Sequence, residues 1–307
     1  MKQRVLVLGA NGQVGHACAE QLKRIPAEKI NEFQCLTRNQ LDIANPDALA
    51  DVVRRFKPTL LINAAAYTNV EKAEDEVALA EQVNGYSVGV LAELCKAQAC
   101  LLVHYSTDYV FDGTARQPYL ETDAIAPQSS YGRSKAMGEA FIAQVGGDAV
   151  VLRTGWVFAR HGDNFYKKML RFGNQREQLS VVDDQTGAPT PAEWLAQLAL
   201  LWGELQSKGK GFPTGLFHAA SQGQTTWYDY AELALDLAAG SPLLPKKPTL
   251  NRAKTPDMNF KAKRPAYSVL NTRKLQTDMG VTPPNGLMAV TQALMSDIED
   301  ANKDTQK

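Results

Sequence analysis

The stretch Arg4-Val5-Leu6-Val7-Leu8, followed by Gly9-Ala10-Asn11-Gly12-Gln13-Val14-Gly15, constrains the fold more than any other part of the chain. An apolar run without polar alternation reads as a strand buried on both faces, as in a parallel sheet covered by helices. The glycines fall between that strand and a helix beginning near Gln13. Gly9 permits a tight turn, Gly12 lets a pyrophosphate approach the backbone, and Gly15 lets helix and strand pack closely. The spacing is GxxGxxG. Placed at residue 9, it predicts a dinucleotide site that also includes Asn11, Gln13 and Val14.

The pattern recurs along the first half. Phe33–Thr37 reads as a second strand, Leu60–Asn63 as a third, Leu101–Ser106 as a fourth and Ala149–Arg153 as a fifth. Helices are expected at about 71–82 and 86–99 and around residues 131–135. Alternating strands and helices at this spacing predict an α/β, doubly wound parallel sheet of the Rossmann kind. Ligands bind at the carboxyl ends of such strands, so Ala64, Ala65 and Ala66 are expected to lie against the cofactor. Thr107 and Asp108 are delivered to the same edge. A free ribose 2′-hydroxyl usually meets an acidic residue about 20 residues past the glycines. Here that place holds Arg38, which suits a 2′-phosphate and hence NADP(H), with Asp42 and Ile43 at the adenine end.

Beyond Trp156 the regularity loosens. Residues 179–182 and 216–218 read as short strands, with helices near 164–172, 192–206, 226–239 and 285–300. The stretch 241–266 is rich in Pro and Lys and reads as loops. This gives an NADP(H)-binding domain over 1–158. A smaller α/β substrate-binding lobe takes up most of 159–307, with segments near 179–218 returning to the sheet.

Lys plus Arg and Asp plus Glu number 33 each, a net charge of zero. No basic stripe points to nucleic acid or a membrane surface. The first apolar run is too short for a signal segment or a membrane span. Cys18, Cys35, Cys95 and Cys100 have no CxxC spacing and no neighbouring His cluster, so they read as reduced thiols of a cytoplasmic protein. His104 and His218 lie within strand patterns and read as structural.

Ser129-Ser130-Tyr131-Gly132-Arg133-Ser134-Lys135 places a Tyr and a Lys one helical turn apart on one face. A free phenol titrates near ~10, and an ammonium close by favours its ionised form. Together with Gly9–Gly15, Asn63–Ala66 and His104-Tyr105-Ser106-Thr107-Asp108-Tyr109-Val110-Phe111, this pair resembles the extended short-chain dehydrogenase/reductase family. Arg153–Phe158, Asn164-Phe165, Asp184–Thr190 and Arg264-Pro265 extend the likeness over nearly the whole chain, toward its nucleotide-sugar reductases.

The resemblance implies that Tyr131 is the proton donor and Lys135 its pKa modifier and ribose anchor, both of them touching the cofactor. It implies that the Thr107 hydroxyl binds the substrate carbonyl, beside Asp108 and Tyr109. Trp156, Asn164, Gln185 and Arg264 would line the sugar-nucleotide cleft. The implied reaction is NADPH-dependent reduction, with NADH as an alternative donor, of the C4 keto group of dTDP-4-dehydro-L-rhamnose. The product, dTDP-L-rhamnose, feeds cell-surface polysaccharide. The same apparatus serves reductases and epimerases of other nucleotide sugars, and the fold also serves as a noncatalytic NADP-binding regulatory subunit. Some members dimerise through magnesium held by carboxylates, one of them in the first helix. This chain has His16-Ala17-Cys18 there, although Glu193 and Asp297 match other ligand positions. The resemblance therefore allows a homodimer but not an intact magnesium site.

Overall fold

The computed structural model describes residues 3–209 and 211–305. The first half alternates β1 Gln3–Leu8, α1 Gln13–Leu22, β2 Ile30–Leu36, α2 Pro46–Phe56 and β3 Leu60–Asn63. It continues with α3 Val77–Glu81, α4 Ser87–Ala97, β4 Leu101–Thr107, α5 Ser130–Val145 and β5 Ala149–Thr154. The second half begins with β6 Val157–Phe158, α6 Phe165–Gln175, β7 Gln178–Val182, β8 Thr186–Gly187, β9 Thr190–Pro191 and α7 Ala192–Ser207. Then come β10 Gly215–His218, β11 Thr225–Thr226, α8 Trp227–Ala238, β12 Thr249–Ala253, α9 Arg273–Met279 and α10 Gly286–Thr305.

Six strands form one sheet in the order β2-β1-β3-β4-β5-β10, every pair parallel. This is the doubly wound Rossmann arrangement. Side chains alternate across it, so Val5 and Val7 join Leu195, Ala199 and Trp202 under α1 and α7. Leu6 and Leu8 join Leu49, Leu91 and Leu102 under α2 and α4. Each such buried side chain contributes roughly 1.5–3 kcal/mol, which is why the apolar runs are unbroken.

Local chemistry sets the ends of the helices. The Asn45 side chain accepts the Ala48 N–H at the start of α2, and Pro46 occupies the first turn, where its missing N–H costs nothing. The helix expected over 71–82 is instead a 3₁₀ turn, Lys72–Glu74, followed by α3. A π turn, Gln82–Tyr86, then leads into α4. The wide turn has a use. It carries Asn84, whose side chain accepts from the Tyr67 N–H (2.9 Å) and donates to Ser134 Oγ (3.0 Å), tying the segment after β3 to α5.

The second half is divided. α7 and β10 return to the main sheet, whereas β7, which was expected to return as well, pairs in parallel with β12. β12 lies within the stretch read as loops. Proline and lysine there did not prevent a strand because it is exposed along much of its length and needs only one partner. Phe158, Tyr166, Leu179, Tyr230, Leu235 and Leu294 form the separate core of this lobe.

Candidate functional site

The glycine loop is built by close approach. Gly9 has φ 80°, and a Cβ there would come within 2.6 Å of the Ala65 nitrogen; one on Gly15 would come within 2.2 Å of the Gly9 carbonyl oxygen. The first glycine therefore brings the end of β1 against the alanines after β3, and the last brings α1 down onto the loop. Gly12 is the N-cap of α1 and no side chain caps that end. The amides of the first turn are left for a ligand, with the helix dipole favouring an anion.

The loop opens into a cleft of about 620 Å³ along the carboxyl ends of the strands. Gly9, Asn11, Gly12, Gln13 and Val14 line one end, with Arg38, Asp42 and Ile43 beside them. Ala64, Ala65 and Ala66 form the floor; Thr107, Asp108, Tyr109, Tyr131, Lys135 and Trp156 form the far end. Gly15 lies behind the loop and does not reach the cleft. The Arg38 side chain is 65% exposed, and its nearest acid is Asp42, at 3.8 Å. So loose a pair leaves the guanidinium available to a phosphate.

At the far end, α5 is pressed onto the 3₁₀ turn Asp108–Val110. A Cβ on Gly132 would meet the Tyr109 carbonyl oxygen at 2.3 Å, so only glycine permits this approach. Ser129 caps the helix by accepting the Gly132 N–H (3.1 Å), and Glu74 accepts from the Ser130 N–H (2.7 Å). Tyr131 then stands edge-on to Tyr109, ring centroids 5.7 Å apart. Thr107 caps the turn by accepting the Tyr109 N–H (3.1 Å) and donates to Asp108 Oδ1 (3.0 Å). Lys135 is buried and donates to the Tyr105 carbonyl at 2.6 Å.

Burial governs the titrations. It pushes the Tyr131 phenol up to about 12, partly offset by its hydrogen bond with Thr107, against the lowering expected from a neighbouring ammonium. It also brings Lys135 down to about 8, opposed by Glu139, and raises Asp108 to about 6. The Asp108 carboxyl is buried, and a Cβ on Gly155 would sit 2.5 Å from its Oδ2. Glycine at 155 makes room for that oxygen.

The model of a family described as the RmlD substrate binding domain matches residues 3–297. The chain belongs to that family. It is 40% identical to the dTDP-4-dehydrorhamnose reductase of Burkholderia thailandensis, over 94% of this chain and 96% of that one. It is 39% identical to the Escherichia coli K12 protein of the same name, over 94% and 96%. A crystal structure of the Bacillus anthracis dTDP-4-dehydrorhamnose reductase in complex with NADP superposes with a TM-score of 0.85 at 30% identity, covering 96% of this chain and 100% of that one.

Other residues singled out from the sequence lie elsewhere in this member of the family. Asn164 caps α6 by accepting the Lys167 N–H and donates to the Ala159 carbonyl (2.6 Å) and Gln13 Oε1 (3.2 Å). Gln185 is buried and donates to Thr255 Oγ1 at 2.9 Å. Arg264 donates to Glu71 Oε1 at 2.7 Å and stacks on Phe260, lining a separate hollow of about 360 Å³. None of the three lines the main cleft. Trp156 does. Its indole stacks on Trp227 at 3.5 Å, its backbone takes a left-handed φ of 50°, and a Cβ on Gly187 would strike its ring at 2.4 Å.

The sequence reading missed Tyr67, Thr68, Gly162 and Asp163, which also line the cleft. Tyr67 and Thr68 directly follow the alanine run, a signal that was present. Gly162 and Asp163 carry none, because they reach the cleft from the lobe. Glu193 is exposed in the first turn of α7, and Asp297 is held by Arg160 (2.7 Å) and the Tyr166 hydroxyl (2.8 Å). His16 stacks on His161 at 3.6 Å. Among the described residues no group of three His, Cys, Asp or Glu side chains is placed to hold a metal ion. Likewise, no helix is long and apolar enough to cross a membrane.

Proposed function

We propose that this protein reduces the C4 keto group of dTDP-4-dehydro-L-rhamnose to give dTDP-L-rhamnose, using NADPH. The observation that carries the reading is the meeting of Thr107, Tyr131 and Lys135 at one end of a cleft whose other end is the uncapped start of α1. The family and its 40% identical relative, a dTDP-4-dehydrorhamnose reductase, supply the substrate.

The residues fit the cofactor. The free amides behind Gly12 suit a pyrophosphate, Arg38 suits a 2′-phosphate, and the small side chains of Ala64–Ala66 allow a flat group to lie on the strand ends. When bound, NADPH supplies the hydride. As negative charge builds on the substrate's O4, the Tyr131 phenol gives it a proton. The Thr107 hydroxyl, which rotates freely, turns from Asp108 to the same oxygen as a second donor. Trp156, fixed by Trp227 and Gly187, offers an apolar wall to the 6-methyl group. Lys135 supports the phenol from one helical turn away.

The same proposal divides the chain into a cofactor domain ending near 158 and a substrate lobe, and takes the protein to be a cytoplasmic homodimer. Oxidation of NADPH on addition of dTDP-4-dehydro-L-rhamnose, followed at the nicotinamide absorbance, tests the central claim. Oxidation only with a different nucleotide sugar, or with none, would reject it. Activity should also survive EDTA, since Ala17 stands where a ligand carboxylate would be needed.

A further inference from the structure

One buried titratable group has no part in this mechanism. His104 lies on β4 opposite Asn63 of β3 and is fully buried. Its Nδ1 is 3.0 Å from Asn63 Nδ2, and its Nε2 is 3.2 Å from Lys135 Nζ. The other end of Asn63 fixes the orientation of the amide, because Oδ1 accepts the Ala65 backbone N–H at 3.2 Å. An amide that accepts with its oxygen there turns its NH₂ toward His104, so Nδ1 is the acceptor. A neutral imidazole accepting at Nδ1 carries its proton on Nε2. That N–H faces Lys135. An ammonium would oppose it with another N–H, whereas an amine would meet it with a lone pair.

We propose that Asn63 and His104 are positioning residues that set the protonation of Lys135. The fixed Nε2–H favours the amine over the ammonium and holds the side chain where it can lose and regain a proton during turnover. This rests on the reductase reading above. Burial acts in the same direction on Lys135, and it lowers His104 well below the usual imidazole range, which keeps the ring neutral. Glu139, one turn along α5, favours the ammonium but is shared with Arg153 (2.7 Å) and Ser106. Tyr131, Tyr109 and Asp108 are the other titratable groups at this end, Asp108 acting on both phenols. On the elements packed against the rest of α5, Glu74 is tied to Ser130, and Lys96 donates to the Val145 carbonyl. A lysine of ordinary pKa would be a fixed cation near neutrality; burial and the facing Nε2–H both move Lys135 away from that state.

The chain has four histidines, so ¹⁵N-histidine labelling resolves them, with His104 assigned by the signal lost in His104→Phe. The parent protein should show Nδ1 bare and Nε2 protonated across neutral pH. Asn63→Asp gives Nδ1 an acceptor and should reverse the tautomer, so that Nε2 accepts from the ammonium. The alkaline limb of kcat/KM should then move up by about one pH unit, a tenfold change in proton concentration. A proton on Nδ1 in the parent, or an unmoved limb in a variant with the reversed tautomer, would overturn the proposal. The labelling needs neither substrate nor turnover. A protein inactive on the keto sugar but with the Nε2–H tautomer would count against the reductase reading while supporting the tautomer assignment.

Discussion

The two ends of the molecule expose polar groups in different ways. Along the carboxyl edge of the sheet, the backbone places them: Gly9 and Gly15 force the loop, Gly132 brings α5 onto the Asp108 turn, and Lys135 follows one turn later. In the lobe, Asn164, Gln185 and Arg264 are engaged with Lys167, Thr255 and Glu71. A site made by backbone approach commits its residues to one place. A polar side chain on a lobe serves a ligand or a neighbour equally well, and its position in the chain does not say which.

The largest effect that would sharpen this contrast is at the sheet edge. Tyr131→Phe keeps the ring against Tyr109 but removes the proton. Its kcat should fall by roughly 10²–10⁴, the usual contribution of a general acid, with NADPH affinity little changed. Single-turnover hydride transfer is the measurement, and a rate equal to the parent's would mean that the proton comes from another group. Next in size is Arg38→Ala. Loss of a charge-assisted phosphate contact should weaken NADPH by roughly 1.5–3 kcal/mol while leaving NADH alone. Equal losses for the two cofactors in a calorimetric titration would remove Arg38 from the 2′-phosphate.

Asp108 tests the edge by pH. Its carboxyl is held at about 6, above the unfolded value, so the native state binds the proton more tightly. The stabilisation this gives is complete below the unfolded pKa of roughly 4 and is lost as pH rises through the folded value. Asp108→Asn cannot ionise. It should therefore gain stability over the parent at mildly alkaline pH, on the order of 2 kcal/mol, and gain none in acid. Urea midpoints at the two pH values read the difference, and an equal change at both would show that burial of the charge is not its source. Smallest is Asn164→Ala in the lobe. Loss of the cap should cost about 0.5–2 kcal/mol of stability and leave the KM for the sugar nucleotide where it was. A large rise in KM with unchanged stability would turn the comparison around.

The same contrast explains what could be read from the chain. Apolar runs, glycines and the Tyr131–Lys135 spacing each impose a backbone consequence, so the sheet and the residues along its edge were legible. β7 misled because a five-residue apolar alternation does not name its partner, and β12 was hidden by prolines and lysines around an exposed strand. The π turn at Gln82–Tyr86 leaves no mark on a helical pattern beyond one displaced residue. The reach of Gly162 and Asp163 into the cleft depends on how the lobe folds back, which local pattern does not encode.

The stack of Trp156 on Trp227, 3.5 Å apart and inclined by 8°, has an optical consequence. Indoles in such contact share their excited states, whereas Trp202 is buried far off under the sheet among aliphatic side chains and Phe217. Because Trp156 forms part of the cleft wall, a ligand against it should perturb the stacked indoles. The protein thus carries its own chromophore for occupancy of the cleft. Near-ultraviolet circular dichroism should register the arrival of a sugar nucleotide before any hydride has moved.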